Sequence, residues 1–308
     1  MPHDGVPREV CVIGGNRYFG KRLISRLLDA GAAVTVVNRG SAAPPPGAAH
    51  AVADRDDEAA LRTALGDRTF DVVLDQVCYT PVQADIARRV FTGRTRRYVM
   101  TSTIEVYDGV ADASGPLPET AFDAASLPVD RAPAEPWSYG EGKRQAEAVF
   151  AADPAFPSVA VRTAHVLGGA DDFTGRLAHY ADRVRTGAPI AVPPAAHPSV
   201  FIHVDEIADF LFWTAGQEFT GPVNACSHGL VDAAELCRLL AERIPGGHAV
   251  LKAAPEGPYS PFAFDRFYAM DNSRAHALGF AFRDTAAWLP DVVAAAAATA
   301  PHVTQGDN

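Results

Sequence analysis

The chain has 308 residues, 48% hydrophobic and 21% charged, the balance of one or two ordinary globular domains, which excludes a disordered or fibrous protein. Its 37 acidic and 27 basic residues give a formal net charge of −10, the wrong sign for the cationic face that a nucleic-acid backbone requires. From the start to about residue 165, apolar runs alternate with segments of helical period, the pattern of a parallel sheet covered by helices. Strands are predicted at EVCVIGG, AVTVVN, DVVLDQ, RRYVMTS and SVAVRT, each nearly all apolar, as expected when both faces are covered.

The first strand runs directly into Gly14-Gly15-Asn16-Arg17-Tyr18-Phe19-Gly20, and KRLISRLLDAG follows with helical spacing. Glycines between a strand and a helix let backbone N–H groups approach a pyrophosphate at the helix N-terminus, and the last glycine, Gly20, lets helix and strand pack closely. The second strand ends in Asn38-Arg39-Gly40, where a site for NAD usually carries a carboxylate for the ribose 2′-OH. With no carboxylate to repel a 2′-phosphate, and with Arg39 and Arg17 as fork-shaped donors, the site is expected to favour NADP over NAD. Asp54, after a third short strand, is placed either to meet the adenine edge or to cap the following helix.

The strand RRYVMTS delivers Thr101-Ser102-Thr103-Ile104-Glu105 at its C-terminal end, where open parallel sheets place their ligand crevice. Of these, Thr103 is the best placed to share a substrate oxygen. The segment PWSYGEGKRQAEAVFA then carries Tyr139 and Lys143 at i and i+4, on one helix face. An ammonium near the phenol is expected to lower the pKa of Tyr139 and tune it for proton exchange with a hydroxyl or carbonyl. With 8 tyrosines and only three lysines in the chain, a chance Tyr-x-x-x-Lys is expected roughly 0.08 times.

Beyond His165 the pattern becomes irregular, with the Pro-rich APIAVPPAAHP and a short strand at VFIHV. His203, inside that strand, reads as a structural hydrogen-bonder and Asp205 as the cap of the next helix. Cys11, Cys78, Cys226 and Cys237 form neither a CxxC pair nor a zinc-spaced cluster, so they read as small buried apolar residues, and no metal site is expected. The start, MPHDGVPREV, lacks the regions of a signal peptide, and the late stretch AAWLPDVVAAAAATA is broken by Pro290 and Asp291. The expectation is a cytoplasmic protein without a membrane span.

The glycine turn, the strand-end hydroxyls and the Tyr139/Lys143 pair occur in the order and spacing of the extended short-chain dehydrogenase/reductases, and the chain resembles the NAD-dependent epimerase/dehydratase family. FIHVDEIADFL and MDNSRAHALGFAFRDT extend the similarity over nearly the whole length. The resemblance implies an α/β fold with a Rossmann-like, doubly wound parallel sheet binding NAD(P) over residues 1–165. It implies a smaller substrate-binding region over 166–308, partly interleaved with the first. It implies Thr103, Tyr139 and Lys143 as the catalytic set.

Departures from the family pattern narrow the substrate. Arg17 stands where the motif usually has its middle glycine, as in members that begin GGTRF. Ile104 replaces the acidic or polar residue that dehydratases place after the threonine, whereas Glu105 keeps the following glutamate and is a candidate base. His165, in RTAHVLGG, takes the position of a substrate-touching asparagine. The arginine that clamps a diphosphate ahead of FIHVDE is missing, with Ser199 and Val200 in that stretch.

The expected function is NAD(P)-dependent hydride transfer on a hydroxyl or ketone of a sugar-like or polyol-like small molecule, as an epimerase or dehydratase. One alternative is an NADPH-dependent ketone reductase. Another, from a different class, is a nicotinamide-binding sensor or RNA-associated protein without catalysis, against which the intact Tyr139/Lys143 pair and the net charge argue. Family members commonly dimerise through helices that include the Tyr/Lys helix, which leaves room for a homodimer.

Overall fold

The computed structural model describes residues 6–110 and 113–299. The first half runs β1 (Glu9–Ile13), α1 (Tyr18–Asp29), β2 (Ala33–Asn38), β3 (Ala49–Val52), α2 (Glu58–Leu65), β4 (Val72–Asp75), α3 (Pro81–Phe91), β5 (Tyr98–Thr103), α4 (Tyr139–Ala151) and β6 (Ser158–Thr163). The second half runs β7 (His165–Leu167), α5 (Arg176–Thr186), β8 (Pro189–Val192), β9 (Phe201–His203), α6 (Val204–Ala215), β10 (Gly221–Ala225), α7 (Ala233–Arg243), β11 (Val250–Ala253), α8 (Ser273–Ala277) and α9 (Thr285–Ala298).

Seven strands form one parallel sheet in the order β10-β6-β5-β4-β1-β2-β3. The chain winds outward in one direction from β1 to β3 and in the other from β4 onward. The switch point therefore lies between β1 and β4, and a ligand crevice is expected beyond their C-terminal ends. Period-two alternation sends Val10 and Val12 of β1 into the core shared with α1 and α6, and Cys11 and Ile13 into the core shared with α2, α3 and α4. Both sets are buried, which is why these strands read as continuous apolar runs.

The seventh strand, β10, comes from residues 221–225 and pairs with β6, so the sheet is completed by a segment beyond residue 165. Helix α6 likewise packs on α1 against the sheet. A separate apolar core, including Tyr180, Phe201, Leu236 and Trp288, gathers α5, α7 and α9.

Helix α4 is fixed at both ends. Ser138 accepts a hydrogen bond from the N–H of Glu141 at 3.2 Å, the first half of a capping box spelled S-x-x-E. Farther along, the buried Glu147 accepts from Ser102 Oγ of β5 at 2.5 Å and from Arg162 Nη2 of β6 at 2.6 Å. Removing either partner would strand a buried charge, so this contact locks the helix to the sheet.

Two cap assignments differ from expectation. Asp57, not Asp54, caps α2 by accepting from Ala60 N at 2.9 Å, while Asp54 only closes the preceding turn through Asp56 N. His203 caps α6, its Nδ1 accepting from Asp205 N at 3.2 Å, and Asp205 lies inside the first turn. In each case the chain turns into the helix elsewhere than the pattern implied, and the residue already extended at the boundary provides the acceptor. All four cysteines are buried and unbridged. Among the described residues no helix is long and apolar enough to cross a membrane, and no cluster of side chains is arranged to hold a metal.

Candidate active site

The glycine turn leaves β1 with Gly14 at φ 77° and Gly15 at φ 80°, conformations that side chains rarely adopt. Gly14 N donates to Val37 O of β2 at 2.8 Å, and a Cβ there would lie 2.8 Å from Val77 Cγ1. A Cβ on Gly20 would sit 2.6 Å from the Cα of Gly15, so the first turn of α1 rests directly on the glycine turn. No acidic residue lies in that first turn, and Arg17 at the N-cap makes no side-chain cap. The positive end of the α1 dipole is therefore left for an anionic group.

Arg17 and Arg39 are both exposed, and among the described residues neither side chain has a hydrogen bond or ion pair. Asn38 differs. Its Oδ1 accepts from Gly40 N at 2.7 Å and faces His50 Nε2 at 3.0 Å, and its Nδ2 donates to Ala42 O at 3.2 Å. The amide is thus spent on folding the loop that carries Arg39, and Asn16 braces the same loop through Ala42 O and Ala43 O. Asp54 is exposed at the end of β3. Gln76, which the sequence did not single out, has both amide atoms buried without a partner, with its Cγ beside Gly15.

At the end of β5, Thr103 accepts from Glu105 N at 3.2 Å and opens a short 3-10 turn, Ile104–Tyr107. The glycines of Y-G-E-G-K find their reason here. A Cβ on Gly140 would be 2.8 Å from Glu105 O, and one on Gly142 would be 2.3 Å from Tyr79 O. Helix α4 thus enters the site backbone against backbone, between the loops that follow β4 and β5.

Tyr139 opens α4 and is 53% exposed as a residue. Desolvation around its hydroxyl nonetheless pushes the phenol pKa up to about 12, and a hydrogen bond with Thr103 pulls in the opposite direction. This reverses the expected lowering by Lys143. The reason is geometric: Lys143 is fully buried, its Nζ donates to Thr101 O at 2.7 Å, and it lies 4.6 Å from the Tyr79 ring centroid and 5.8 Å from that of Tyr139. Burial lowers the Lys143 pKa to about 8.

Behind Lys143 lies a buried group that sequence reasoning missed. Asp75, fully buried at the end of β4, pairs with Arg55 Nη1 at 3.0 Å and accepts from the Tyr98 hydroxyl and from Val77 N at 3.0 Å. Arg55 also donates to Gln83 O at 3.0 Å. The pair pins residues 76–80, whose Val77 packs on Gly14 and whose Tyr79 faces Lys143. A carboxylate ending an otherwise apolar strand was the available signal.

Glu105 lines a cavity of about 410 Å³ with His165, Arg176, Tyr259, Phe262, Phe264 and Arg266 among its walls. Partial burial raises the Glu105 pKa above its ordinary value, and the nearby Tyr268 hydroxyl counters this. His165 stacks on Phe264 with ring centroids 5.3 Å apart, and burial followed by the Arg176 charge lowers its pKa to about 3. Ser199 and Val200 are buried, and the Ser199 hydroxyl donates to Tyr268 O, so that stretch presents no group to a ligand. The fold therefore brings Thr103, Glu105, Tyr139 and Lys143 to one end of the sheet with His165 across the cavity. Gly14, Gly15, Arg17, Gly20 and Arg39 lie at the ends of β1 and β2.

Residues 10–91 match the NAD dependent epimerase/dehydratase family. No curated protein sequence matches the chain. Among solved structures, the UDP-glucose 4-epimerase of Thermotoga maritima, solved with UDP-glucose, is 18% identical and superposes with a TM-score of 0.72 over 94% of this chain and 97% of that one. The Thermus thermophilus UDP-glucose 4-epimerase, solved with NAD, is 20% identical with a TM-score of 0.66 over 89% of this chain and 93% of its own. The Bordetella bronchiseptica enzyme WbmH, solved with NAD+, is 19% identical with a TM-score of 0.68 over 94% and 96%. The family resemblance read from the motifs is thus matched over residues 10–91, and the Rossmann-like fold is shown by superposition on these three structures.

Proposed function

We propose that this chain is an NADP-dependent enzyme of the epimerase/dehydratase type, forming or consuming a ketone on a sugar-like or polyol-like small molecule. The observation that carries this reading is the placement of Tyr139 at the start of α4, whose Gly140 packs on Glu105 two residues beyond Thr103 at the sheet end, backed by the buried Lys143. The cleft suits a dinucleotide: the glycine turn admits no Cβ without a clash, and the Gln76 amide and two arginines are unpartnered around it. Gly14, Gly15 and Gly20 would receive the pyrophosphate, Arg17 and Arg39 the 2′-phosphate, and Asp54 the adenine edge, with Asn38 shaping the loop. When bound, the nicotinamide gives or takes a hydride.

The chain's own residues handle the protons. A phenol of raised pKa holds its proton at neutral pH, so Tyr139 serves first as a donor to a carbonyl oxygen that Thr103 also contacts. Running in the other direction, the half-exposed Tyr139 first gives its phenolic proton to solvent, and the phenolate then accepts one from a hydroxyl. Lys143 assists by moving its ammonium from Thr101 O toward the phenol, along the two rings it already touches. Glu105, with its raised carboxyl pKa, is suited to move a carbon-bound proton beside a transient ketone.

Arg39→Ala is expected to weaken NADP binding about 10- to 150-fold, the worth of a charge-assisted hydrogen bond, and NAD binding far less. Calorimetric titration with both cofactors checks this, and equal losses would remove Arg39 from the 2′ position. The reaction type is tested at Glu105 by mass spectrometry of product formed in D2O. The wild type should place solvent deuterium on carbon. Glu105→Gln should stop this while reduction of a ketone analogue continues. Absence of carbon-bound deuterium in the wild-type product would favour a simple reductase.

A further inference from the structure

The cavity beside Tyr139 has unevenly matched charges. Arg266 is engaged by Asp108 and, at 3.4 Å, by Asp265, and it packs over the Tyr268 ring. Arg176, the first residue of α5, has no carboxylate partner among the described residues. It acts on Glu105 through its charge without reaching ion-pair distance. Its guanidinium instead lies 5.2 Å from the Phe262 ring centroid, its Nη1 is 3.4 Å from Nδ1 of His165, and its Nε is unpartnered.

That one contact settles how His165 presents itself. A guanidinium can only donate, so Nδ1 of His165 accepts and the ring proton sits on Nε2. His165 is 6% exposed, and its Nε2 has no partner. This side of the cavity therefore holds a cation with no carboxylate partner and, behind it, a buried N–H that has no acceptor. A partly buried cation without a counter-ion is costly, and an oxyanion from a ligand would complete it.

The geometry points to a compact anionic substrate: a sugar-like or polyol-like molecule whose carboxylate or phosphate monoester is held by Arg176 beside His165. Its carbon skeleton lies along Phe262 and Phe264 toward Tyr139. The volume, about 410 Å³, is near the small end of ligand pockets. The Ser199–Val200 stretch is buried and supplies no second cation for a diphosphate. The inference rests on the proposed role of the Tyr139 site as the place where substrate is turned over.

The test is calorimetric titration of the NADP+-saturated protein with D-glucose, D-glucuronate and D-glucose 6-phosphate. At least one anionic sugar should bind about 10-fold or more tightly than glucose, and which one does so separates carboxylate from phosphate. Arg176→Gln should abolish that preference, Arg176→Lys should keep part of it, and cofactor affinity should stay within a few-fold in both. The preference should persist in Tyr139→Phe, so that failure of the catalytic reading and failure of this one are distinguishable. Equal binding of the three sugars, or no binding of any, by the wild type would overturn the inference whether or not the variants fold. So would a preference that survives Arg176→Gln, or a variant that loses cofactor affinity instead.

Discussion

Tyr139→Phe is expected to lower turnover by about 10²–10⁴-fold, the range attributed to a positioned acid/base, while cofactor affinity changes only a few-fold. The substitution removes the phenolic oxygen and leaves the ring where it is, against Tyr79 with centroids 6.1 Å apart and within 5.8 Å of Lys143 Nζ. Packing and the glycine turn are therefore undisturbed, and the loss reports the proton alone. Steady-state kinetics together with cofactor titration separate the two quantities. A variant that kept more than about a tenth of wild-type turnover would show that another group carries the proton.

Gly142→Ala is expected to be destructive at a position where helix propensity alone would make it favourable. In an ordinary helix interior, alanine is better than glycine by about 1 kcal/mol. Here the added Cβ would lie 2.3 Å from the carbonyl oxygen of Tyr79, a backbone atom in a loop that is tied down by Val77 N on Asp75 and Tyr79 N on Gln83. Helix α4 must retreat, at a cost of about 1–3 kcal/mol in stability, the usual range for overpacking. Because the helix carries both Tyr139 and Lys143, a displacement of about 1 Å can cost as much as 10²-fold in turnover. Thermal melts and kinetics of the purified variant check both effects. An unchanged or raised melting temperature would mean that the contact between α4 and the β4 loop is not as tight as described.

Much of the architecture was legible because it depends on local pattern. The apolar runs of β1, β2, β4, β5 and β6 follow from burial on both faces, and the glycine turn and the Tyr139/Lys143 spacing are written within a few residues of sequence. What escaped depends on partners far apart in the chain. β10 reads as G-P-V-N-A, opening on two turn-forming residues and ending half polar, and it becomes a strand only by pairing with β6 some sixty residues earlier. The Arg55–Asp75 pair joins the loop after β3 to the end of β4, two strands that β1 and β2 separate in the sheet, and nothing local marks Arg55 as buried. The Tyr139 phenol pKa is raised by desolvation, which the spacing of the motif does not reveal, and Lys143 does not offset it. A shared helix face permits the ammonium to approach the phenol, but the carbonyl of Thr101 and the ring of Tyr79 hold it elsewhere. Nothing in the sequence around Arg176 marks its approach to Phe262 and His165.

The central claim is that the cleft at the ends of β1 and β2 holds a nicotinamide dinucleotide in front of Tyr139. Isothermal titration of the purified protein with NADP+ and NADPH tests it directly. The account predicts saturable binding of one cofactor per chain at about micromolar affinity, tighter than for NAD+ or NADH. No saturable binding of any of the four up to roughly 1 mM would contradict it.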